Sequence, residues 1–275
     1  MRTGPAFHLA IVLGGLLLAG GSAAAQTGEL VDRSELKVCA DPNNLPYSDE
    51  KKEGFENKIA ELMGGELGLK VDYAWFPQVI GFVRNTLRAR LCDIVMGTVA
   101  GDEIMQTTNP YYFTTYVMFY RSDKGFVFEG PQDPSLANLR LGVVAGTPPA
   151  DLVVRHDLMS HTRPYALNVD TRAESPTHEM IKDVVDETID VGFLWGPIAA
   201  YYRKRDGLPL TLVPLKDEPG AARMEYHIAM GVRGNEPEWR RRINAAILKR
   251  QDAITAILRD YGVPLLNEQG ELAVP

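Results

Sequence analysis

The side chains best suited to chemistry in this chain are two cysteines, five histidines and a scattered set of carboxylates. Cys39 and Cys92 do not have the CxxC spacing of a redox enzyme. His156 and His161 stand five apart near a predicted helix end and lack the i, i+4 relation of a helical metal-ligand pair, while His8, His178 and His227 are isolated. Asp41, Asp49 and Glu50 offer hard oxygens, but not at the spacing of a calcium loop. The chain contains no HExxH and no GxSxG, and no pair of carboxylates is placed against a nucleophile or an acid. These patterns favour a binder over an enzyme, and no metal or cofactor is expected.

The remaining chemistry is that of contact. Residues 40–47, ADPNNLPY, form a loop rich in Asp, Pro and Asn that presents amides and a tyrosine. Between Tyr111 and Tyr120 six of ten residues are aromatic, more than an extended segment needs for packing. Gly146 with Thr147 and Pro148 opens a helix whose free amides could meet an anion or a polar group. That turn lacks the length and the lysine of a phosphate loop.

The elements that must position these groups follow from periodicity. Residues 36–39 read as a strand, the 40–47 loop follows, and 54–63 repeats Phe55, Ile59, Leu62 and Met63 as a helix that GGELG at 64–68 ends. Strands are expected at 69–75 and 92–97 with a helix at 81–90 between them, and 112–120 reads as extended. A second set has strands at 141–144, 165–169 and 189–194, with helices at 148–158, 177–187 and 198–204. Thr147 is the expected cap of the first of these helices. Strands at 210–215 and 226–232 lead to a long amphipathic helix marked by Trp239, Ile243, Ala246, Ile247, Ile254, Ile257 and Leu258, with Asn235 as its cap and Gly262 at its end. Strand-loop-helix units of this kind place ligands beyond the carboxyl ends of strands.

Arg2, the apolar run 9–18 and small residues at Ala23 and Ala25 read as an export signal ending at Ala25. No other stretch is long and apolar enough to span a bilayer, so a periplasmic chain of about 250 residues, not embedded in the membrane, is expected. Losing Arg2 moves the formal charge from -7 to about -8, with 28 basic against 36 acidic side chains. That balance does not suit nucleic acid. In an oxidising compartment a Cys39–Cys92 disulfide is expected over two free thiols, on the condition that the two Cα atoms come within about 7 Å.

The stretches LKVCADPNNLPYS, GFENKIAELM, LCDIVMGTV, NPYY, LGVVAGTPP and VGFLWGPIAAYY resemble the type II periplasmic solute-binding proteins, extracellular family 3, over residues 36–262. A narrower likeness lies in PNNLPYS, GFENKIAELM, the run 75–87, CDIVMGTVAG and TNPYYFTTYV. These resemble the MxaJ/XoxJ group, encoded beside quinoprotein methanol dehydrogenases. The resemblance implies an α/β, periplasmic-binding-protein-like type II fold of two α/β lobes with mixed sheets flanked by helices and an interlobe cleft. It implies a signal at 1–25, a first lobe of 26–120 with 221–275, and a second lobe of 121–220. It further implies a non-catalytic partner that binds and helps activate or mature a PQQ-dependent methanol dehydrogenase of the lanthanide-dependent kind, with that enzyme's cytochrome c as a further partner. The alternative is an importer-type binding protein for a small molecule other than a standard amino acid.

Compared with amino-acid receptors of that fold, residues 97–106 lack the arginine that clamps a ligand carboxylate. Leu194 and Trp195 stand where an aspartate would meet the amino group. Aromatic residues take the place of those charges, which suits a peptide segment or a small ligand other than a zwitterion. The candidate cleft residues are Asn43, Asn44, Thr98 and Thr147 for polar contacts, and Tyr47, Trp75, Tyr112 and Trp195 for contact area.

Overall fold

The computed structural model describes residues 1, 4, 33–173 and 175–273. The expected signal segment, 1–25, therefore lies outside the described residues apart from two positions. In chain order the first part comprises β1 (Glu35–Ala40), the short ribbon β2 (Asn43–Asn44) and β3 (Ser48–Asp49), α1 (Phe55–Leu67), β4 (Lys70–Trp75), α2 (Phe82–Asn85), β5 (Ile94–Val99), β6 (Gln106–Thr107) and the long β7 (Tyr112–Arg121). There follow β8 (Leu141–Val144), α3 (Pro148–Arg155), β9 (Thr162–Tyr165), α4 (Pro176–Val185), β10 (Val191–Trp195), α5 (Gly196–Arg205), β11 (Leu210–Pro214), β12 (Glu225–Val232) and α6 (Pro237–Asp260).

The main sheet runs β4-β1-β5-β12-β7-β10-β8-β9, with β6 on β12 and β11 on β7. The βα units make β1, β4 and β5 parallel, and likewise β8, β9 and β10, because each crossover is long enough to bring the chain back in the same direction. β12 and β7 are antiparallel insertions. β7 joins the two lobes: Tyr112–Thr115 pair with β12, and Tyr116 onward pairs with β10 and β11. Two buried threonines fix this crossing, Thr114 donating to the carbonyl of Pro264 (2.7 Å) and Thr115 to that of Leu215 (2.7 Å).

Each lobe has its own apolar core. In the first, Leu36 and Val38 of β1, Phe55, Ile59 and Met63 of α1, and Trp239, Ile243, Ile254 and Leu258 of α6 pack together. In the second, α3 buries Leu152 and Val153 on one side of the sheet, and α4 buries Met180, Ile181 and Val184 in a separate cluster. The fold is thus the mixed α/β, periplasmic-binding-protein-like type II architecture. Cys39 and Cys92 are joined by a disulfide with Cα atoms 5.3 Å apart, inside a small cluster with Phe82, Leu87 and Val95.

Several local expectations differ. α1 continues through Gly64 and Gly65 to Leu67 and stops at Gly68, which takes the left-handed conformation (φ 70°) open to glycine. The helix expected over 81–90 is a single turn: Thr86 leaves the helical conformation (φ -120°, ψ -81°). The following amides shift to acceptors five residues back, Arg88 to the Val83 carbonyl (2.9 Å) and Leu91 to that of Thr86 (3.1 Å), and Arg90 has φ 60°. β9 lies at Thr162–Tyr165, before the expected 165–169. Thr147 precedes α3 but makes no side-chain cap, since its hydroxyl donates back to the Val144 carbonyl (2.6 Å). Glu236, and not Asn235, occupies the cap position of α6.

Candidate functional site

The loop after β1 is folded tightly onto the start of α1. Tyr47 N–H donates to the Asn44 carbonyl (2.9 Å), and the Ser48 hydroxyl donates to the Asp41 carbonyl (2.8 Å). The carbonyls of Pro46 and Tyr47 accept from the first amides of α1, those of Phe55 (2.8 Å) and Glu56 (2.9 Å). These amides, which would otherwise be orphans, are spent on the loop, so this helix end holds tyrosine in place and is not free for an anion. The close approach requires glycine at 54, where a Cβ would lie 2.0 Å from the Tyr47 oxygen. Asn57 completes the lock by accepting from the amides of Gly54 (3.2 Å) and Asp49 (3.1 Å).

Two cavities meet behind this loop, and Tyr47 and Gln78 line both. The smaller, about 270 Å³, is bounded by Tyr47, Glu56, Gly97, Thr98, Tyr112 and Trp195, and so takes walls from both lobes. The larger, about 440 Å³, has Asn43 and Asn44 on one side and Leu167, Thr171, His178 and Tyr202 on the other. Asp41 joins the lobes at its mouth. Its carboxylate, 2% exposed, accepts from the amides of Asn43 (2.9 Å) and Gln78 (2.6 Å) and from the Thr171 hydroxyl (2.8 and 2.9 Å). Asn43 Nδ2 returns a bond to the Thr171 carbonyl (2.7 Å), and Asn44 Nδ2 donates to Gln78 Oε1 (3.1 Å).

The walls of the smaller cavity are aromatic and closely coupled. Trp195 packs edge-on against Tyr116 (4.7 Å) and Tyr226 (5.8 Å), and Phe55 bridges Tyr47 (5.2 Å) and Tyr112 (6.3 Å). Burial drives the hydroxyls of Tyr47, Tyr111 and Tyr112 well above the ordinary phenol range, and a hydrogen bond from the Trp195 side chain to Tyr47 only partly offsets it. These groups stay neutral and act as donors and acceptors. Glu56 sits among them at the start of α1, its carboxylate against Gly97, where a Cβ would come 2.2 Å from Oε1. Burial raises its pKa to about 8, and no hydrogen bond or ion pair to its carboxylate occurs among the described residues.

Of the sequence-predicted residues, Tyr47, Thr98, Tyr112 and Trp195 meet around the smaller cavity, and Asn43, Asn44 and Tyr47 around the larger. Trp75 stacks on Tyr73 (4.6 Å, 7° between planes) against the first-lobe core and lines neither cavity. Thr147 is also outside both, although its neighbour Val144 lines the larger. Three site residues, Glu56, Gln78 and Thr171, are not singled out in the sequence, and Asp41 falls within the 40–47 loop without being among the candidate cleft residues. Glu56 matters most, since the sequence reading gave the cleft walls no charge. An acidic residue in a first helical turn is ordinary for dipole reasons and carries no distinguishing signal. His156 pairs with Glu218 (3.1 Å) instead of joining His161, and no group of three or more His, Cys, Asp or Glu side chains among the described residues is placed to hold a metal.

The chain is similar to known proteins over most of its length. The family model of bacterial extracellular solute-binding proteins, family 3, matches residues 36–263. Protein MoxJ of Paracoccus denitrificans is 30% identical over 268 residues, covering 90% of this chain and 95% of the relative. The crystal structure of MxaJ from Methlophaga aminisulfidivorans MPT superposes with a TM-score of 0.75 at 29% identity, over 84% of this chain and 100% of that one. That of the periplasmic binding protein XoxJ from Methylobacterium extorquens AM1 superposes with a TM-score of 0.72 at 38% identity, over 85% and 100%.

Proposed function

We infer the function from one premise: this chain belongs to the bacterial extracellular solute-binding proteins, family 3, and within them to the MxaJ/XoxJ group. Its role is non-catalytic and linked to methanol dehydrogenase, and its family is periplasmic. The finer reading is that it binds a PQQ-dependent methanol dehydrogenase, of the lanthanide-dependent kind, and helps activate or mature it, the enzyme's cytochrome c being a further partner. The export signal ending at Ala25 is part of this reading, as are a first lobe of 26–120 with 221–275 and a second of 121–220.

The observation that supports it is the composition of the cleft. Tyr47, Tyr112 and Trp195 make an aromatic wall, and no Arg or Lys lines the smaller cavity. An amino-acid carboxylate would find no counter-charge there, and such a charge-assisted contact is worth roughly 1.5 to 3 kcal/mol. Aromatic walls suit a protein segment, which brings area instead of charge. The test is co-purification of the tagged mature protein with the dehydrogenase from periplasmic extract, with dehydrogenase activity measured with and without it. Enrichment together with an activity change is expected; neither, combined with tight binding of one small solute, would sink the reading.

A second reading, an importer-type receptor for a small molecule other than a standard amino acid, is favoured by the small volume of the inner cavity, about 270 Å³. Trp75 and Thr147 lie outside both cavities, so under either reading they act as support and not as direct contacts. Asn43, Asn44, Tyr47, Thr98, Tyr112 and Trp195 remain the proposed contact residues.

A further inference from the structure

We propose that the inner cavity is an alkylammonium site, with Glu56 as the counter-charge and Tyr47, Tyr112 and Trp195 as its aromatic walls. This rests on the reading of the cleft as the place where a guest is held, and it names the guest's chemical class.

Four observations point to a cation. Glu56 lines the cavity, and its carboxylate has no ion-pair or hydrogen-bond partner among the described residues. Glu56 is half-buried, so its carboxylate is partly removed from water with nothing among the described residues to answer its charge. The other polar linings, Gln78 and Thr98, are neutral, and Thr98 donates onward to Asp102 (3.3 Å), which adds negative field and not positive. Aromatic faces attract ammonium groups through their quadrupoles, and three aromatic residues border this carboxylate's cavity. Finally, Gly97 makes the space: any side chain there would displace the carboxylate.

The alternatives fit less well. An anionic head would meet no cation among the described residues of the inner cavity, Arg205 lying on the larger one, and a divalent metal would find a single carboxylate where it needs several oxygens. The larger cavity, which shares Tyr47 and Gln78 with the inner one, has Val144, Ala166, Leu167, Val169 and Ile198 on its apolar side, room for an aliphatic tail behind the charged head, while His178 and Arg205 lie on its polar side. A free primary alkylamine and a lysine side chain of a partner both present this chemistry.

The groups facing Glu56 are Tyr47 from the loop, Tyr73 from β4, and Tyr111 and Tyr112 at the start of β7, all with hydroxyls raised by burial. They stay neutral across the working range, so Glu56 alone sets the pH dependence. In the empty cleft it holds its proton up to about pH 8. An ammonium guest binds the ionised form, so binding releases that proton. Affinity therefore rises about tenfold per unit below pH 8 and levels off above it, while a lysine-like amine stays charged to about pH 10.

The experiment is calorimetric titration of the mature protein with n-butylammonium chloride and with Nα-acetyl-lysine amide between pH 6 and pH 9, using 1-butanol as the neutral control. Saturable binding of the amines is expected, with the stated pH dependence and at least tenfold weaker binding of the alcohol. Glu56→Gln and, independently, Gly97→Ala should each weaken amine binding at least tenfold while leaving the circular dichroism spectrum unchanged. Equal binding of amine and alcohol, a flat pH profile, an unchanged Glu56→Gln, or no amine binding would each overturn the proposal. Amine that competes with purified dehydrogenase identifies a partner lysine as the source; amine that binds without competing identifies a free solute. If dehydrogenase binds and amines do not, the ammonium site falls and the accessory role stands. If amines bind and dehydrogenase does not, the reverse holds.

Discussion

Glu236 and Glu56 both lie at the start of a first-lobe helix, yet their carboxylates meet opposite surroundings. Glu236, at the cap of α6 and 1% exposed, accepts from Arg33 Nη2 (2.5 Å) and Arg233 Nε (2.7 Å). Arg233 then spans to Asp93 (2.9 Å) and to the carbonyls of Leu87 and Cys92, tying α6 to the disulfide. Glu56, at the start of α1, looks into the cleft with no such partner among the described residues. One end of the lobe has its charge neutralised internally and is built to hold shape. The other end keeps a carboxyl group on a cavity wall with no internal counter-charge among the described residues.

Breaking the satisfied end should cost the most. Glu236→Ala removes the carboxylate that Arg33 and Arg233 share, and loss of one partner of a buried ion pair costs about 4 kcal/mol, read as a lower midpoint in urea unfolding. If Glu236→Ala were neutral, the contrast between the two glutamates would lose its structural half. The double change Cys39→Ala with Cys92→Ala opens a loop whose ends are 53 residues apart and should cost about 3 kcal/mol by the same measurement. Non-reducing peptide mapping of the wild type should find the two cysteines linked.

The structural end was largely legible in the sequence and the functional end only half so. The apolar face of α6, the buried β1 and the extended β7 carry strong periodic signals, and the cysteine pair follows from compartment and number. The 81–90 segment has helical spacing, but the chain leaves the helix at Thr86 after four residues, and the Arg88 and Leu91 amides bond five residues back instead of four. In the cleft, large aromatics beside strand ends could be read as contact residues, and Tyr47, Tyr112 and Trp195 do meet there. Trp75 has the same sequence signature, yet it stacks on Tyr73, because which face a side chain takes is decided by neighbours and not by spacing. The Asp41–Thr171 contact joins residues 130 apart, a pairing that no local pattern encodes.

Glu56→Gln sharpens the comparison from the other side. The folded-state pKa, about 8, lies above the ordinary value of 4.5. Below about pH 4.5 the group is protonated in both states and costs nothing. Between these values the unfolded chain gives up its proton while the folded chain keeps it, so stability falls as pH rises, and above pH 8 the whole cost is present. Glu56→Gln should therefore be more stable than wild type at pH 9, on the order of 2 kcal/mol after allowance for water in the cavity, with no gain at pH 4. A parallel pair of stability curves would show that Glu56 is compensated after all.

The smallest effect is expected where the two lobes touch. Asp41 already has the Asn43 and Gln78 amides from its own lobe, so Thr171 adds a donor from the opposite lobe to a carboxylate that is not orphaned without it. Thr171→Ala should then leave global stability nearly unchanged and weaken closure by about 1.5 kcal/mol, the low end of the range for a hydrogen bond to a charged group. The readout is separation of the lobes: a larger radius of gyration in small-angle scattering and faster exchange of the Asn43 and Gln78 amides, with urea midpoints held within error. Thr171→Ser keeps the hydroxyl and should restore the wild-type profile. A loss of global stability in Thr171→Ala equal to the loss of closure would place the Asp41 contact with the structural end of the lobe, and the cleft mouth would then have to be regarded as fixed instead of as a latch that a guest can work against.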